Sequence, residues 1–277
     1  MIPTERLIMT INESIELRID QGIATITLNE PTKLNALSSR LIDALMAATA
    51  QLHADKSIRV LRITGAGKAF SAGADLSGMN ATATHVGDQT RGAWTDDQMR
   101  TRHNKMVADI RSLPFPILTI LNGPVAGGSV GVALAADIVI AARSAYVYLP
   151  FMSALGIAPD MGSSWFLPRL IGTGRSIAMT LLGNRVSAEQ AAAWGMIWSC
   201  VDDSELAAEA ERITARLYSL PAHAALETRA IFDASLHNNL QQQLDYERAR
   251  QHELIDREEF VEGVRAFMEK RPPIFPR

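Results

Sequence analysis

The chain has 277 residues, 47% of them hydrophobic, so it can bury a large core as one domain or as a core with a smaller appendage. A formal charge of −3 leaves no overall electrostatic footprint for nucleic acid or an anionic membrane surface. The single cysteine, Cys200, excludes an internal disulfide and a multi-cysteine metal site. No apolar stretch approaches the roughly 20 residues that span a bilayer, and the N-terminus does not read as a signal peptide. We therefore expect a cytoplasmic protein without membrane contact.

The first half of the chain predicts strands that alternate with helices. Residues 13–19 and 22–28 cluster apolar side chains around an Asp-Gln-Gly turn, which predicts a β-hairpin. Residues 38–53 have helical apolar spacing, and residues 58–64 predict the next strand. The pattern returns as a strand at 116–121, a helix at 130–136 and a strand at 138–141, so we expect an α/β fold with crossover units.

Two later segments differ from this pattern. Residues 77–98 are polar and almost without periodicity, which predicts a long loop, either a cover over a ligand or a disordered segment. Beyond residue 200 the sequence is rich in Ala, Glu and Arg and predicts helices at 203–217, 222–235, 240–255 and 257–269. We therefore divide the chain into a core at 1–200 and a helical C-terminal subdomain at 201–277.

Two glycine turns follow apolar strands and lead towards helices. They are SAGAD at 71–75 and GPVAGGS at 123–129. Glycine permits backbone conformations that bring N–H groups close to a ligand, and two converging N–H groups form an oxyanion hole. Each turn alone is also compatible with a purely structural role, as a glycine turn between a strand and a helix. Neither turn has the spacing of a phosphate-binding loop.

The two turns and their surroundings resemble the crotonase superfamily of enoyl-CoA hydratases and isomerases. The resemblance rests on PTKLNAL at 31–37, TGAGKAFSAGADL at 64–76 and NGPVAGG at 122–128, and it covers nearly the whole chain. It implies a spiral of ββα units with a C-terminal helical trimerisation region, and a homo-oligomer that is a trimer or a dimer of trimers.

The same resemblance implies a site for a thioester. The backbone N–H groups of Ala74 and Gly128 would hold an enolate oxygen. Coenzyme A would enter as part of the substrate, with no separate cofactor and no metal. The residues implied to line its path are Lys33, Asn35, Ala36, Ala72, Asp75, Phe267 and Lys270. The two lysines are equally compatible with solvated surface positions.

No glutamate occurs between Glu30 and Glu189, a stretch that contains both turns. Hydratases of this family use two glutamates, and the matching positions here are Gly131 and Phe151. Because neither side chain can carry a proton, the comparison disfavours hydration and favours relocation of a double bond, for which one carboxylate is enough.

Asp160 is the aspartate whose context suits this role. It lies in the apolar run LGIAPDMG at 155–162, and burial would raise its pKa towards neutrality. The alternative is a helix cap, which would lower the pKa. The run 156–169 resembles the segment that carries the catalytic aspartate in ring-epoxide isomerases of phenylacetyl-CoA breakdown. An apolar substrate pocket is predicted from Phe151, Met152, Met161 and Trp165; the alternative for some of them is a place in the ordinary core.

The sequence favours an acyl-CoA isomerase that shifts a double bond or rearranges a ring epoxide. Two alternatives stay open: a weak or water-mediated enoyl-CoA hydratase, and a non-catalytic acyl-CoA-binding protein. Catalysis by His85 or His103, in or beside the polar loop, is the least favoured reading.

Overall fold

A twisted sheet with helices packed against it forms the centre of the molecule. The computed structural model describes residues 7–76 and 83–276, with only the backbone described for 7–12. Seven strands form the main sheet: β1 (Leu7–Asn12), β2 (Ile15–Asp20), β3 (Ile23–Leu28), β4 (Val60–Gly65), β7 (Ile117–Leu121), β9 (Ile138–Ala142) and β12 (Ser199–Val201). They lie side by side in the order β1-β2-β3-β4-β7-β9-β12.

The predicted hairpin is confirmed. β2 and β3 pair antiparallel, with Ile15 opposite Leu28 and Asp20 opposite Ile23. The sequence did not predict β1, which adds a third antiparallel strand at the edge. From β3 onward the neighbours are parallel, as crossover units require.

The first crossover is helix α1 (Ser39–Ala54), which lies close to the predicted 38–53. It begins where the Ser38 side chain accepts a hydrogen bond from the N–H of Leu41. Its apolar face packs into the main core, with Leu41, Leu45 and Leu52 fully buried. The second predicted helix is also present as α4 (Ser129–Leu134), between β7 and β9.

A second, smaller sheet stands beside the main one. Its strands are β8 (Val125–Ala126), β10 (Tyr146–Tyr148) and β11 (Val186–Ser187). β8 belongs to the second glycine turn; it pairs parallel with β10 on one side and forms an isolated bridge to Ser71 on the other.

The predicted loop at 77–98 is wrong over its second half. Residues 77–82 lie outside the described part of the chain. Beyond them, β5 (His85–Val86) and β6 (Gln89–Thr90) form a short hairpin, and α2 (Arg91–Gln98) follows. The Thr90 hydroxyl caps α2 by accepting from the N–H of Ala93, a signal hidden by the weak periodicity of the segment. A π-helical turn at Met99–His103 continues into α3 (Asn104–Arg111).

The remaining helices cover the ends of the sheet and form the C-terminal region. They are α5 (Ser163–Ile171), α6 (Thr173–Leu182), α7 (Ala188–Ala193), α8 (Leu206–Tyr218), α9 (Ala224–Ser235), α10 (Leu240–Ile255) and α11 (Glu258–Met268). The four predicted C-terminal helices are confirmed within a few residues. α8 packs on the sheet, where Ala210 and Ile213 meet Leu118, Ile120 and Ile140. The predicted boundary after residue 200 falls inside β12 and stays a prediction.

No helix in the described part of the chain is both long enough and apolar enough to cross a membrane.

Candidate active site

A buried asparagine, Asn35, fixes the backbone of the segment that leads into the first glycine turn. The Asn35 Oδ1 accepts from the N–H of Glu30 at 2.9 Å, and its Nδ2 donates to the carbonyls of Ala66 and Ala69, each at 2.9 Å. Gly73 follows with a φ of +86°, a left-handed conformation that favours glycine. Asn35 is fully buried and its side-chain amide is engaged by these backbone groups, and its place on the coenzyme A path stays a prediction.

The second turn lies directly against the first. Ser71 bridges to Val125, and the N–H of Ala126 donates to the Ser71 carbonyl at 3.0 Å. The Ser129 hydroxyl donates to the same carbonyl at 3.1 Å. A Cβ placed on Gly73 would stand 2.6 Å from the Ala126 carbonyl oxygen, so this approach requires glycine.

Two backbone N–H groups at this junction are unused. Within the described chain, no hydrogen bond uses the N–H of Ala74 or of Gly128. Their neighbours are engaged: the Gly127 N–H donates to the Tyr148 carbonyl at 2.9 Å, and the Gly73 carbonyl accepts from Leu37 at 2.7 Å. Free donors beside two fixed glycine turns have the chemistry of an oxyanion hole.

Asp160 lies next to the second turn. A Cβ placed on Gly128 would stand 3.0 Å from its Oδ1. The alternative role as a helix cap is not observed, because α5 begins at Ser163 after an N-cap at Gly162, without a side-chain cap. The turn before α5 is closed through the backbone instead, by the Ser163 N–H donating to the Asp160 carbonyl at 2.9 Å.

Burial controls the charge of Asp160. Removal from water raises its pKa from the ordinary 3.8 to about 6. A hydrogen bond between the carboxyl group and the backbone of the same residue lowers the pKa and opposes this rise only in part. Its Oδ1 is closed to solvent and has no hydrogen-bond partner in the part of the chain that the structure describes. A carboxylate with a pKa near neutrality can both accept and return a proton.

The two positions that match the hydratase glutamates are filled by apolar groups. Gly131 lies on α4, and a Cβ placed on it would overlap the carbonyl oxygen of Met161. Phe151 is buried in the core at the start of a π-helical turn. No side chain of any length fits at position 131 unless the Met161 backbone moves.

The N-terminal residues of the predicted coenzyme A path lie together. The segment 33–37 runs beside the first turn, where the Ala72 N–H donates to the Leu34 carbonyl at 2.9 Å. Lys33 is exposed, and its Nζ lies 3.8 Å from the Oδ2 of Asp75. Ala36 is buried, whereas Ala72 is exposed at the surface.

The C-terminal residues of that path lie elsewhere in the single chain. Phe267 is on α11 and 86% exposed, and Lys270 follows the helix. No hydrogen bond or ion pair among the described residues joins either side chain to the first turn.

The four residues of the predicted pocket have different environments. Phe151 and Met161 are buried, and Met152 is 43% exposed. Trp165 lines a separate cavity of about 680 Å³, where Arg169 stacks on its ring at 4.0 Å. Its place in the substrate pocket stays a prediction.

Two residues organise the site in ways that the sequence did not predict: Ser129 was not singled out, and Met161 was predicted only as a pocket residue. Ser129 joins both turns through its hydroxyl, and the Met161 backbone fills the space beside Gly131. The presence of a serine in each of the two glycine motifs was a sequence signal for the role of Ser129. Nothing in the residue type of Met161 indicates that its backbone fills the space beside Gly131, because this placement depends on a φ of 49°.

Comparison with known proteins assigns the family. The family model described as enoyl-CoA hydratase/isomerase matches residues 18–277. The chain belongs to the enoyl-CoA hydratase/isomerase family. Its fold is therefore the crotonase fold, and proteins of this family act on acyl-CoA thioesters.

Individual relatives have different names. A protein of Escherichia coli K12 named 1,2-epoxyphenylacetyl-CoA isomerase is 38% identical over 265 residues, covering 95% of this chain and 98% of the relative. A Rhodobacter capsulatus protein named "Probable enoyl-CoA hydratase" is 36% identical over 263 residues, covering 95% and 97%. A crystal structure of an enoyl-CoA hydratase from Polaromonas sp. JS666 aligns with a TM-score of 0.85 at 26% identity, covering 95% and 99%.

Proposed function

We propose that this protein is an acyl-CoA isomerase that moves a double bond by a proton shuttle on Asp160. The observation that carries the proposal is the position of the Asp160 carboxylate beside Gly128, with a pKa of about 6 and an unpartnered oxygen. The apolar groups at positions 131 and 151 support it, because they leave no second acid at the places where hydratases have theirs.

The chemistry needs one acid–base group and one oxyanion site. The Asp160 carboxylate takes a proton from C2 of a 3-enoyl thioester, and the electron pair of that C–H bond passes into an enolate. The N–H groups of Ala74 and Gly128 donate to the enolate oxygen. Return of the proton to C4 closes the new C2–C3 double bond, so no water is consumed.

The test is the variant Asp160→Asn. An amide cannot take the proton, so we expect isomerisation of a 3-enoyl-CoA to fall at least about 10³-fold while binding of the thioester changes little. The matched control is Asp109→Asn, which removes an exposed carboxylate paired with Lys105 on α3. Undiminished turnover by Asp160→Asn would contradict the assignment.

The pH profile gives a second readout. Because the ionised carboxylate is the base, kcat/KM should rise with pH and level off above about 6. A profile that is flat between pH 5 and 8 would point away from Asp160.

The rearrangement of a ring epoxide is a related possibility, supported by the name of the Escherichia coli relative. It would use the same enolate site, and turnover of a ring epoxide of an aromatic acyl-CoA distinguishes it from straight-chain isomerisation.

Enoyl-CoA hydration is the second candidate, because the Rhodobacter relative carries that name. With a single acid it should be slow, so incubation with a 2-enoyl-CoA should yield little 3-hydroxyacyl product. A non-catalytic acyl-CoA-binding protein would bind a 3-enoyl-CoA in a calorimetric titration without converting it.

A homo-oligomer completes the proposed site. Phe267 and Lys270 are exposed far along the C-terminal helices, which suits contact with coenzyme A bound to a neighbouring copy. Coenzyme A enters as part of the substrate, and the proposed mechanism uses no separate cofactor or metal.

A further inference from the structure

Met161 packs against the proposed oxyanion site from the side of α4. A Cβ placed on Gly128 would overlap the thioether sulfur of Met161, and one placed on Gly131 would overlap its carbonyl oxygen. The side chain is 5% exposed. One residue therefore fills the volume beside both glycines, directly after Asp160 in the chain.

The backbone at Met161 has an unusual conformation. Met161 has a φ of 49° and Gly162 a φ of 83°, so two successive residues are left-handed. This conformation costs about 1–2 kcal/mol for a residue with a Cβ. Position 162 is also crowded, since a Cβ on Gly162 would stand 2.9 Å from the Phe166 ring and 3.6 Å from a Val107 methyl group. The turn directs the Met161 carbonyl towards α4 and leaves the Asp160 carboxylate beside Gly128.

We propose that Met161 excludes water from the carboxylate of Asp160 and thereby selects isomerisation over hydration. This inference rests on the proposed function. Hydration needs a water molecule between the acid and C3: an O–H bond of water breaks, its oxygen bonds to C3 and a proton reaches C2. Met161 occupies the volume beside α4 where hydratases carry their first glutamate. The solvent-inaccessible Oδ1 of Asp160 agrees with a dry site.

Exclusion of water has a consequence for the proton itself. A carboxyl group that exchanges with solvent more slowly than it transfers the proton returns to C4 the proton that it removed from C2. In deuterium oxide, the wild-type protein should therefore form a product that carries mostly protium at C4 in the first few per cent of conversion.

The experiment compares Met161→Ala with the wild type in deuterium oxide and reads the product by mass spectrometry. Opening the site should raise the deuterium content at C4 at least about two-fold. It should also raise the rate at which a 2-enoyl-CoA is hydrated. Met161→Leu keeps most of the volume and should retain protium like the wild type.

Two further variants separate the effect of Met161→Ala on the deuterium label from its effect on the stability of the fold. Met196→Ala removes a methionine that is 2% exposed and lies away from Asp160, on the other cavity, so it should leave the label unchanged. If Met161→Ala does not fold, Met161→Gly leaves the same gap and removes the left-handed strain.

The outcomes separate the two proposals. Isomerisation by the wild type with full solvent label at C4, or equal label in Met161→Ala and the wild type, would overturn the role of Met161 and leave the isomerase intact. Absence of isomerisation in the wild type would overturn the proposed function, and this inference with it.

Discussion

Asp160, the proposed acid–base group, lies where a carboxyl group lowers the stability of the fold. Its carboxyl group is largely removed from water, and its Oδ1 has no partner among the described residues. A protein that needed only a stable fold would place an amide or an apolar group there, because an unpaired buried charge is costly. The raised pKa is therefore a sign of function at this position.

This reasoning predicts that Asp160→Asn stabilises the protein at pH 7. The folded-state pKa lies above the ordinary value, so Asp160 favours the folded state while it is protonated and loses that advantage as pH rises through about 6. The difference between 3.8 and about 6, at about 1.4 kcal/mol for each pKa unit, sets an upper limit of about 3 kcal/mol. Partial exposure reduces this, and we expect a gain of about 1–2 kcal/mol.

Urea unfolding of both proteins at pH 7.5 and pH 4 measures the effect. The gain should be present at the higher pH and be much smaller at pH 4, where Asp160 is protonated in the folded state and about half protonated in the unfolded state. An equal difference at the two pH values would mean that the charge is not its origin.

At the scale of elements, a buried arginine ties the C-terminal helices to the sheet. Arg229 on α9 is 7% exposed and forms two bonds of 2.6 Å with the carboxylate of Asp137. It also donates to the carbonyls of Arg111, Leu113 and Phe115, which lead into β7. The Asp137 Oδ2 accepts from the N–H of Ile117 at 2.8 Å, so the start of β7 and the end of α4 share this anchor.

Arg229→Met should destabilise the protein strongly, by about 3 kcal/mol, because it removes the bidentate partner of the Asp137 carboxylate and leaves only Arg111, whose guanidinium lies 3.6 Å away. Adding Asp137→Asn should recover part of the loss. Arg248→Met is the control, since Arg248 pairs with Asp245 at the surface and should matter far less. Thermal unfolding of the variants reports the effect, and similar losses for both arginines would contradict the role of burial.

At the scale of the whole molecule, the C-terminal helices expose an apolar surface that a monomer rarely leaves in water. The most exposed large apolar side chains there are Phe232, Leu240, Phe267, Met268 and Ile274. Such a surface is typical of an interface between subunits. The proposed contact of Phe267 with coenzyme A bound to a neighbouring copy would place it at such an interface.

Light scattering should therefore give three or six times the 30.2 kDa of one chain. Phe267→Asp places a charge on the apolar face and should lower both the oligomer mass and the affinity for an acyl-CoA, whereas Phe267→Leu should preserve both. A monomeric wild-type protein with an intact site would argue against a contribution from the neighbouring copy.

The sequence by itself determined the alternation of strands and helices, both glycine turns, the loss of the glutamates and the choice of Asp160. These follow from local periodicity and residue type, which is why the β2–β3 hairpin and α1 were predicted closely. It failed at α2, where a short capped helix has little periodicity, and it did not indicate that the Asn35 side chain is buried and bonded to the backbone.

Only the tertiary structure decided how the acid works. The pKa of Asp160 depends on which groups surround it, and the obstruction at Gly131 depends on the left-handed backbone of Met161. Both arise from contacts between segments that lie about 30 residues apart in the chain, since α4 and the turn before α5 meet only in the folded protein. Burial and backbone direction are properties of the packed molecule, and residue order alone does not specify them.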